Sequence, residues 1–473
     1  MRAVRFHANP VAGPSLVLSA LALAFAIALP GFFGASARAQ TSAATLRPGG
    51  TPHSGGLLVL AGSLHDHSTD SDGDASSAAV AAWEFAHRSE LGIDFGALTD
   101  HADLMPFAIR EPFGGSVWKR QAKLEERYTR EGFSFLRGFE FTSDQENHVN
   151  VIGSPGYLGG LHENELTLRS LYHWLATRDA GVAQFNHPSA KGALQWDNLA
   201  FVPTVAANVA TIEIYGDQGF SNWNLTHSDA GWYWLALSRG WTLGPVMNWD
   251  THHWRKILRQ TDAGERCGDE PRTLPCQRTL ILAEENTPEA IMSALRARRT
   301  SATEHPSLWA TLRGPGGIWQ GSTVKNAGAG QTLALTLEAG SSIWPLTRVD
   351  IISDSGIDPH PYYDGDNPAP RRGVYAASYR EQHRRFVASQ GHAVRKDQID
   401  APPEGALVAS EPLSGDRALQ TIEVTIPDAP SLRPDRKHFF YAIVWAGLVR
   451  AWTSPIFTDD TLRQTDGINA TLP

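Results

Sequence analysis

Leu57-Leu58-Val59-Leu60-Ala61-Gly62-Ser63-Leu64-His65-Asp66-His67-Ser68-Thr69-Asp70-Ser71-Asp72-Gly73 runs from an apolar strand-like segment into two imidazoles one residue apart and a carboxylate five positions later. Residues i and i+2 of an extended segment point the same way, so His65 and His67 can grip one cation. The Asp-Gly turn folds Asp72 back toward a second. The stretch therefore reads as a strand ending in half of a metal site.

Working outward, strand-like and helix-like patterns alternate up to about His305. Leu57 to Leu64 predicts a strand, Ser76 to Leu91 an Ala-rich helix, Phe95 to Thr99 a strand, Val117 to Arg130 a charged helix and Phe133 to Phe141 a strand. Glu165 to Ala180 (helix), Val182 to Phe185 (strand), Thr211 to Tyr215, Ala230 to Arg239, Thr242 to Asn248 and Pro288 to Arg299 continue the rhythm. Such alternation implies parallel pairing through right-handed crossovers, hence an α/β barrel or a doubly wound sheet. Further candidate ligands fall at the carboxyl ends of these strands: His101 after Asp100, Glu140, His187 after Asn186, and Asp250 with His252 and His253. Parallel α/β folds collect their ligand-binding groups on that face. His148 follows Glu140 in a polar stretch.

Beyond Glu304 the texture changes to short β-type runs between Gly, Pro and Asp turns: Leu308 to Leu312, Gln331 to Leu337, Thr347 to Ile352, Gln420 to Ile426 and Phe439 to Trp445. This predicts an all-β, sandwich-like domain over 306–473, with an irregular insertion near 354–403. The N-terminus carries Arg2 and Arg5, an apolar stretch from Val11 to Phe33 and Ala37-Arg38-Ala39, which reads as a signal peptide over 1–39 cleaved near Ala39. A flexible leader over 40–56 follows. A periplasmic or secreted protein with no membrane anchor after processing is the expectation.

The 473 residues, 42% hydrophobic and 19% charged, suffice for two or three domains. A net charge of -9 with no basic block argues against a nucleic-acid scaffold as partner and leaves a small molecule, drawn as an anion to local metal charge. Cys267 and Cys276 could close a small disulfide loop worth about 2–3 kcal/mol in an oxidising compartment.

His-x-His with its downstream Asp-Gly, Thr99-Asp100-His101, Gly138-Phe139-Glu140, Asn186-His187-Pro188 and Asp250-Thr251-His252 together resemble the polymerase and histidinol phosphatase (PHP) family of metallohydrolases. The resemblance spans Gly62 to Glu304. It implies a distorted seven-stranded β/α barrel of TIM-like type, ahead of the β-domain. The exported form, the helix from Thr287 and Arg299-Thr300 look most like the branch that includes carbamate-pesticide hydrolases. By motif, the resemblance implies one ion on His65, His67, Glu140 and Asp250, a second on Asp72, His101 and His187, and a third on Glu140, His148 and His252. Nine N and O donors without sulfur suit two or three divalent ions, Mn, Zn or Fe. Asp72 stands where some family members carry histidine.

Such ions activate water at neutral pH and polarise the attacked group, so the expected activity is phosphate mono- or diester hydrolysis. Hydrolysis of a carbamate, ester or amide by the same site is the alternative, and an envelope binding protein with structural metals a third. Asp100 and His253 flank ligands and could orient an imidazole or protonate a leaving group. Asn186, Lys191 and Arg110 could reach a substrate anion, and Trp249 and Trp254 could wall an aromatic portion.

Overall fold

The structure, a computed structural model, describes residues 51–105, 117–143, 146–158, 167–178, 181–188, 196–215, 229–262, 276–354, 405–428, 431, 433–447 and 449–459. The expected signal segment and leader up to residue 50, Arg110, Lys191, Cys267 and the insertion beyond Asp354 lie outside these residues. Cys276 is buried and disulfide-bonded. Among the described residues no helix is long and apolar enough to cross a membrane.

The chain order is β1 (His53–Ser54), β2 (Leu57–Gly62), α1 (Ser77–Leu91), β3 (Phe95–Leu98), α2 (Val117–Tyr128), β4 (Ser134–Phe141), β5 (Val149–Ile152), α3 (Leu168–Thr177), β6 (Val182–Phe185), α4 (Trp196–Leu199), β7 (Val209–Tyr215), α5 (Asp229–Ser238), β8 (Gly244–Met247), α6 (Trp254–Asp262), β9 (Arg278–Ala283), α7 (Pro288–Arg296) and β10 (Thr300–Thr303). Local chemistry sets the boundaries. The Ser76 hydroxyl accepts from Ala79 N to start α1, and Gly92, at φ 62°, ends it, with Ile93 N returning to Arg88 O. Thr287 caps α7, with Pro288 in its first turn. Gly96 lets α1 approach β3, because a Cβ there would lie 1.9 Å from Glu84 Oε2.

Strands β9, β2, β3, β4, β5, β6, β7 and β8 are neighbours in that order. Pairings β2 with β3, β3 with β4, β6 with β7 and β7 with β8 are parallel. The expectation of parallel pairing throughout is corrected at two places. Strand β5 runs antiparallel to both β4 and β6, because only a short loop carrying His148 separates β4 from β5 and no crossover helix fits. Strand β9 is likewise antiparallel to β2. The far strand β8 comes back beside β9, where Met247 N donates to Thr279 Oγ1, which donates on to Asn248 Oδ1. Leu60, Phe95, Leu136, Val182, Val246 and Ile281 fill the space inside, under α7 residues Ile291 and Leu295. Each such side chain contributes about 1.5–3 kcal/mol on full burial.

Among the described residues the regular structure beyond β10 is mainly β: β11 (Leu308–Arg313), β12 (Thr323–Lys325), β13 (Thr332–Ser341), β14 (Leu346–Ser353), β15 (Ala406–Pro412), β16 (Arg417–Thr425), β17 (Phe439–Ala446), β18 (Val449–Thr453) and β19 (Ile456–Asp459). Strands β11, β13 and β16 form one sheet. Its Leu308, Leu335 and Ile422 share a core with Val349, Phe440 and Val444 of the facing strands β14 and β17. Hydrogen bonding continues from β18 to β10, so the two halves of the molecule share one long sheet. Arg433, fully buried, donates to the carbonyls of Leu237 in the last turn of α5 and of Gly240 and Trp241 just beyond it, and pairs with Asp435, fastening the β half to the α/β half.

Candidate metal centre

The ends of β2, β3, β4, β6 and β8 and the start of β5 open on one place. His65-Asp66-His67 lies alongside Asp250-Thr251-His252: Asp250 N donates to His65 O at 2.8 Å and His67 N to Thr251 O at 3.2 Å. Asp250 (φ 49°) and His187 (φ 33°) both sit in the left-handed region, a cost of order 1–3 kcal/mol each that a rigid surround must maintain.

All nine motif-derived residues come together, in four groups whose donor atoms lie within 4.8 Å of one another: His67, Asp72, His101 and His252; His65, His67 and Asp250; His65, Glu140 and His187; His101, Glu140 and His148. The partition expected from the resemblance is corrected in two respects. His187 joins His65 and Glu140 rather than Asp72 and His101, and His252 joins Asp72 and His101 rather than Glu140 and His148.

Glu140 is the hub. Its Oε1 is 3.2 Å from His65 Nε2, 3.1 Å from His148 Nδ1 and 3.3 Å from His187 Nε2; its Oε2 is 3.0 Å from His101 Nδ1 and 3.4 Å from His67 Nε2. Asp250 Oδ1 sits 3.0 Å from His67 Nε2 and 3.3 Å from His65 Nε2. Burial alone would push both carboxyls up, but the surrounding imidazoles hold both well below the usual carboxylate range. Burial and neighbouring imidazoles pull His67 down to about 3. For His101, burial also pulls down, yet Glu140 and Asp72 outweigh it and hold the ring at about 9.

The donors fit divalent ions. His65 Nε2 and His67 Nε2 face each other at 3.1 Å between shared carboxylate oxygens. Buried Glu140 Oε2 and His67 Nδ1 have no hydrogen-bond partner among protein atoms. A cation resolves both conditions, and nitrogen and oxygen donors without sulfur suit Mn, Zn or Fe.

The remaining site candidates lie elsewhere or act differently. Asn186 donates to Glu140 Oε1 and Asn150 Oδ1, both at 2.8 Å, so its amide holds the hub rather than reaching for substrate. Asp100 bonds the loop behind the site: Ser68 N and Oγ, Ser71 Oγ and Gln121 Nε2 all donate to it, so it braces His67 and Asp72 and does not face the donors as a proton source. His253 is exposed at the start of α6, where its carbonyl accepts from Lys256 N, and belongs to none of the four groups. Trp249 and Trp254 are not pocket walls. Both are fully buried against Trp83, with Trp249 Nε1 on Gln277 O and Trp254 Nε1 on His67 O at 2.7 Å. Sequence reading missed Glu213, Gln184 and Asn248, a buried polar layer beneath the donors. Gln184 and Glu213 lie inside the mostly apolar strands β6 and β7 and Asn248 directly follows β8, and those polar breaks in apolar runs are the available signal.

No family model and no curated protein matches the chain. Among solved structures it is similar to a two-domain protein from Bacteroides vulgatus ATCC 8482 containing a predicted PHP-like metal-dependent phosphoesterase, at 14% identity over 84% of this chain and 92% of that one, with a TM-score of 0.41. It is also similar to PsfC from Pseudomonas syringae PB-5123, at 15% identity over 52% of this chain and 91% of that one, with a TM-score of 0.34. Similarity at this level says nothing of substrate.

Proposed function

We propose that this chain is a metal-dependent hydrolase of the PHP type that cleaves phosphate mono- or diesters with two or three divalent ions. The observation that carries this reading is the gathering of nine N- and O-donor residues into four overlapping groups, with five of the imidazoles meeting the single carboxylate of Glu140. The curled run of eight strands from β9 to β8 stands, in this reading, where the family has its distorted seven-stranded barrel. The inner group, His65, Glu140 and His187 with Asp250, would hold one ion, and Asp72, His101 and His252 another.

When bound, such ions polarise a phosphoryl oxygen and bring the pKa of water toward neutrality. The protein's own contribution is orientation. Asn186 and the imidazoles keep Glu140 ionised, Asp250 is fixed by the His65 carbonyl, and Trp254 anchors the His67 backbone. Asp72, its side chain 43% exposed, marks the open side through which an anionic small molecule would enter. In this reading the chain is exported by its N-terminal segment and released, and its partner is that substrate.

The test is a panel of aryl phosphate, bis-aryl phosphate and aryl carbamate offered to protein loaded with Mn, Zn or Fe, beside a His67→Ala variant. Phosphate ester turnover lost in the variant is expected. Turnover of the carbamate alone would replace the phosphoesterase reading with a carbamate hydrolase, and full metal loading without any turnover would leave a binding protein.

A further inference from the structure

We propose that Glu213 is a positioning residue for the inner donors, fixing the hydrogen on the His65 ring and the strained backbone of His187 from one buried carboxylate; this rests on the metal-dependent reading above. Glu213 lies on β7 and is fully buried. Its Oε1 accepts from His65 Nδ1 at 3.0 Å, Asn248 Nδ2 at 2.8 Å and Gln184 Nε2 at 3.3 Å, and its Oε2 accepts from His187 N at 2.7 Å.

The amide orientations follow from their other partners. Asn248 Oδ1 accepts from Leu64 N at 2.7 Å and Thr279 Oγ1 at 2.8 Å, so its NH2 must face Glu213. Gln184 Nε2 also donates to Asn186 Oδ1 at 2.9 Å, which sets its NH2 toward the carboxylates. An ionised carboxylate offers only acceptors, so His65 Nδ1 must carry hydrogen. The lone pair of the neutral ring then sits on Nε2, the atom facing Glu140 and Asp250. The bond from His187 N holds in place a backbone at φ 33° that its own preference disfavours.

Glu213→Gln keeps the shape and replaces one acceptor by an NH2. With the amide oxygen toward His65, the NH2 opposes His187 N–H. With the amide reversed, the NH2 opposes His65 Nδ1–H, and relief comes by moving the ring hydrogen to Nε2, where it blocks a cation.

The experiment uses the full chain as wild type, Glu213→Gln and Gln184→Ala, the last removing one donor to Glu213 while leaving its bonds to His65 and His187. Zn is titrated by calorimetry, and the His65 Nδ1–H proton is followed by 15N-edited NMR with and without Zn. Glu213→Gln is expected to lose that proton signal and about 10–100-fold of Zn affinity, the usual cost of removing such a partner. Gln184→Ala is expected to keep the proton signal, since the Glu213 bonds to His65 and His187 remain. Retention of signal and affinity in Glu213→Gln overturns the proposal. Should that variant fail to fold, absence of the Nδ1–H signal in wild type overturns it equally. Wild type that shows the signal but binds no Zn, Mn or Fe would sink the metal-dependent reading and leave the Glu213 bond standing, so the two failures are told apart.

Discussion

His65, Glu140, His187 and Asp250 are set by strand ends and by a buried layer of amides and carboxylates, whereas Asp72 projects from a serine-rich loop and His252 from the turn ahead of α6. The inner donors have their partners fixed before any ion arrives. The outer group depends on the Asp72 carboxylate, which is exposed, and on a loop held by Asp100. The difference teaches that the inner half is preorganised by the sheet and the outer half is adjustable, with Glu140 joining them.

The largest effect that can break this contrast is at the junction. Glu140→Ala removes the oxygens that meet His65, His67, His101, His148 and His187. Metal content, measured as ions per chain by elemental analysis, is expected to fall in both halves. Hydrolysis is expected to fall by more than about 100-fold, since loss of even an outer partner of a ligand costs 10–100-fold. Loss of a single ion with the rest retained would show that the halves are independent.

Asp72→Asn should discriminate between them with a smaller effect: one ion fewer per chain and about tenfold less activity, the lower end of that same range. The pH response sharpens it. Burial pulls His252 down, but Asp72 and Asp250 outweigh it, and His101 stands at about 9. His101 carries a proton near pH 7 without metal, His252 is shifted in the same direction, and an ion entering the outer group must expel such protons. Affinity for the outer ion should therefore rise with pH toward 9, about tenfold per pH unit for each proton displaced. Calorimetry in buffers of different ionisation enthalpy counts those protons. A pH-independent affinity would mean the outer rings are not ligands.

The inner half was the more legible one in the sequence, and for the same physical reason that it is rigid. His65 and His67 follow the two-residue period of a strand, and Asp100-His101, Glu140, Asn186-His187 and Asp250 mark the carboxyl ends of apolar runs. What stayed hidden was relation in space. His187 and His252 are each a short motif after a strand, and nothing local says which neighbours they will meet, so both stand in other groups than the resemblance implies. Strand β5 is four residues long, too short to show a period, and its antiparallel course went unseen. Trp249 and Trp254 flank ligands in the chain, but both turn into the core against Trp83, Trp254 from the first position of α6. Glu213 looked like one polar position in Thr211-Ile212-Glu213-Ile214-Tyr215, a pattern that a solvated strand face would also give.

The smallest expected effect concerns how the outer loop is held. Burial pushes Asp100 up to about 6, Asp70 adds to the rise, and the bonds from Ser68 and Ser71 oppose it. Its unfolded value is about 4. Between those values the folded carboxyl keeps a proton that the unfolded chain has released, so its contribution to stability is full below about pH 4 and is lost as pH rises through about 6, an amount of about 1–3 kcal/mol. Asn at this position does not titrate. The melting temperature of wild type minus that of Asp100→Asn should therefore fall as pH rises from 4 to 6, in chelator-treated protein so that ion binding does not intervene. Because the Asp100 carboxyl is bonded by Ser68, Ser71 and Gln121, and its only tie to Glu140 is a backbone bond that the variant keeps, the same variant should weaken only the ion lost in Asp72→Asn. A melting difference that grows across this window, or loss of the inner ion, would mean that Asp100 serves the whole cluster and that the two halves share one support.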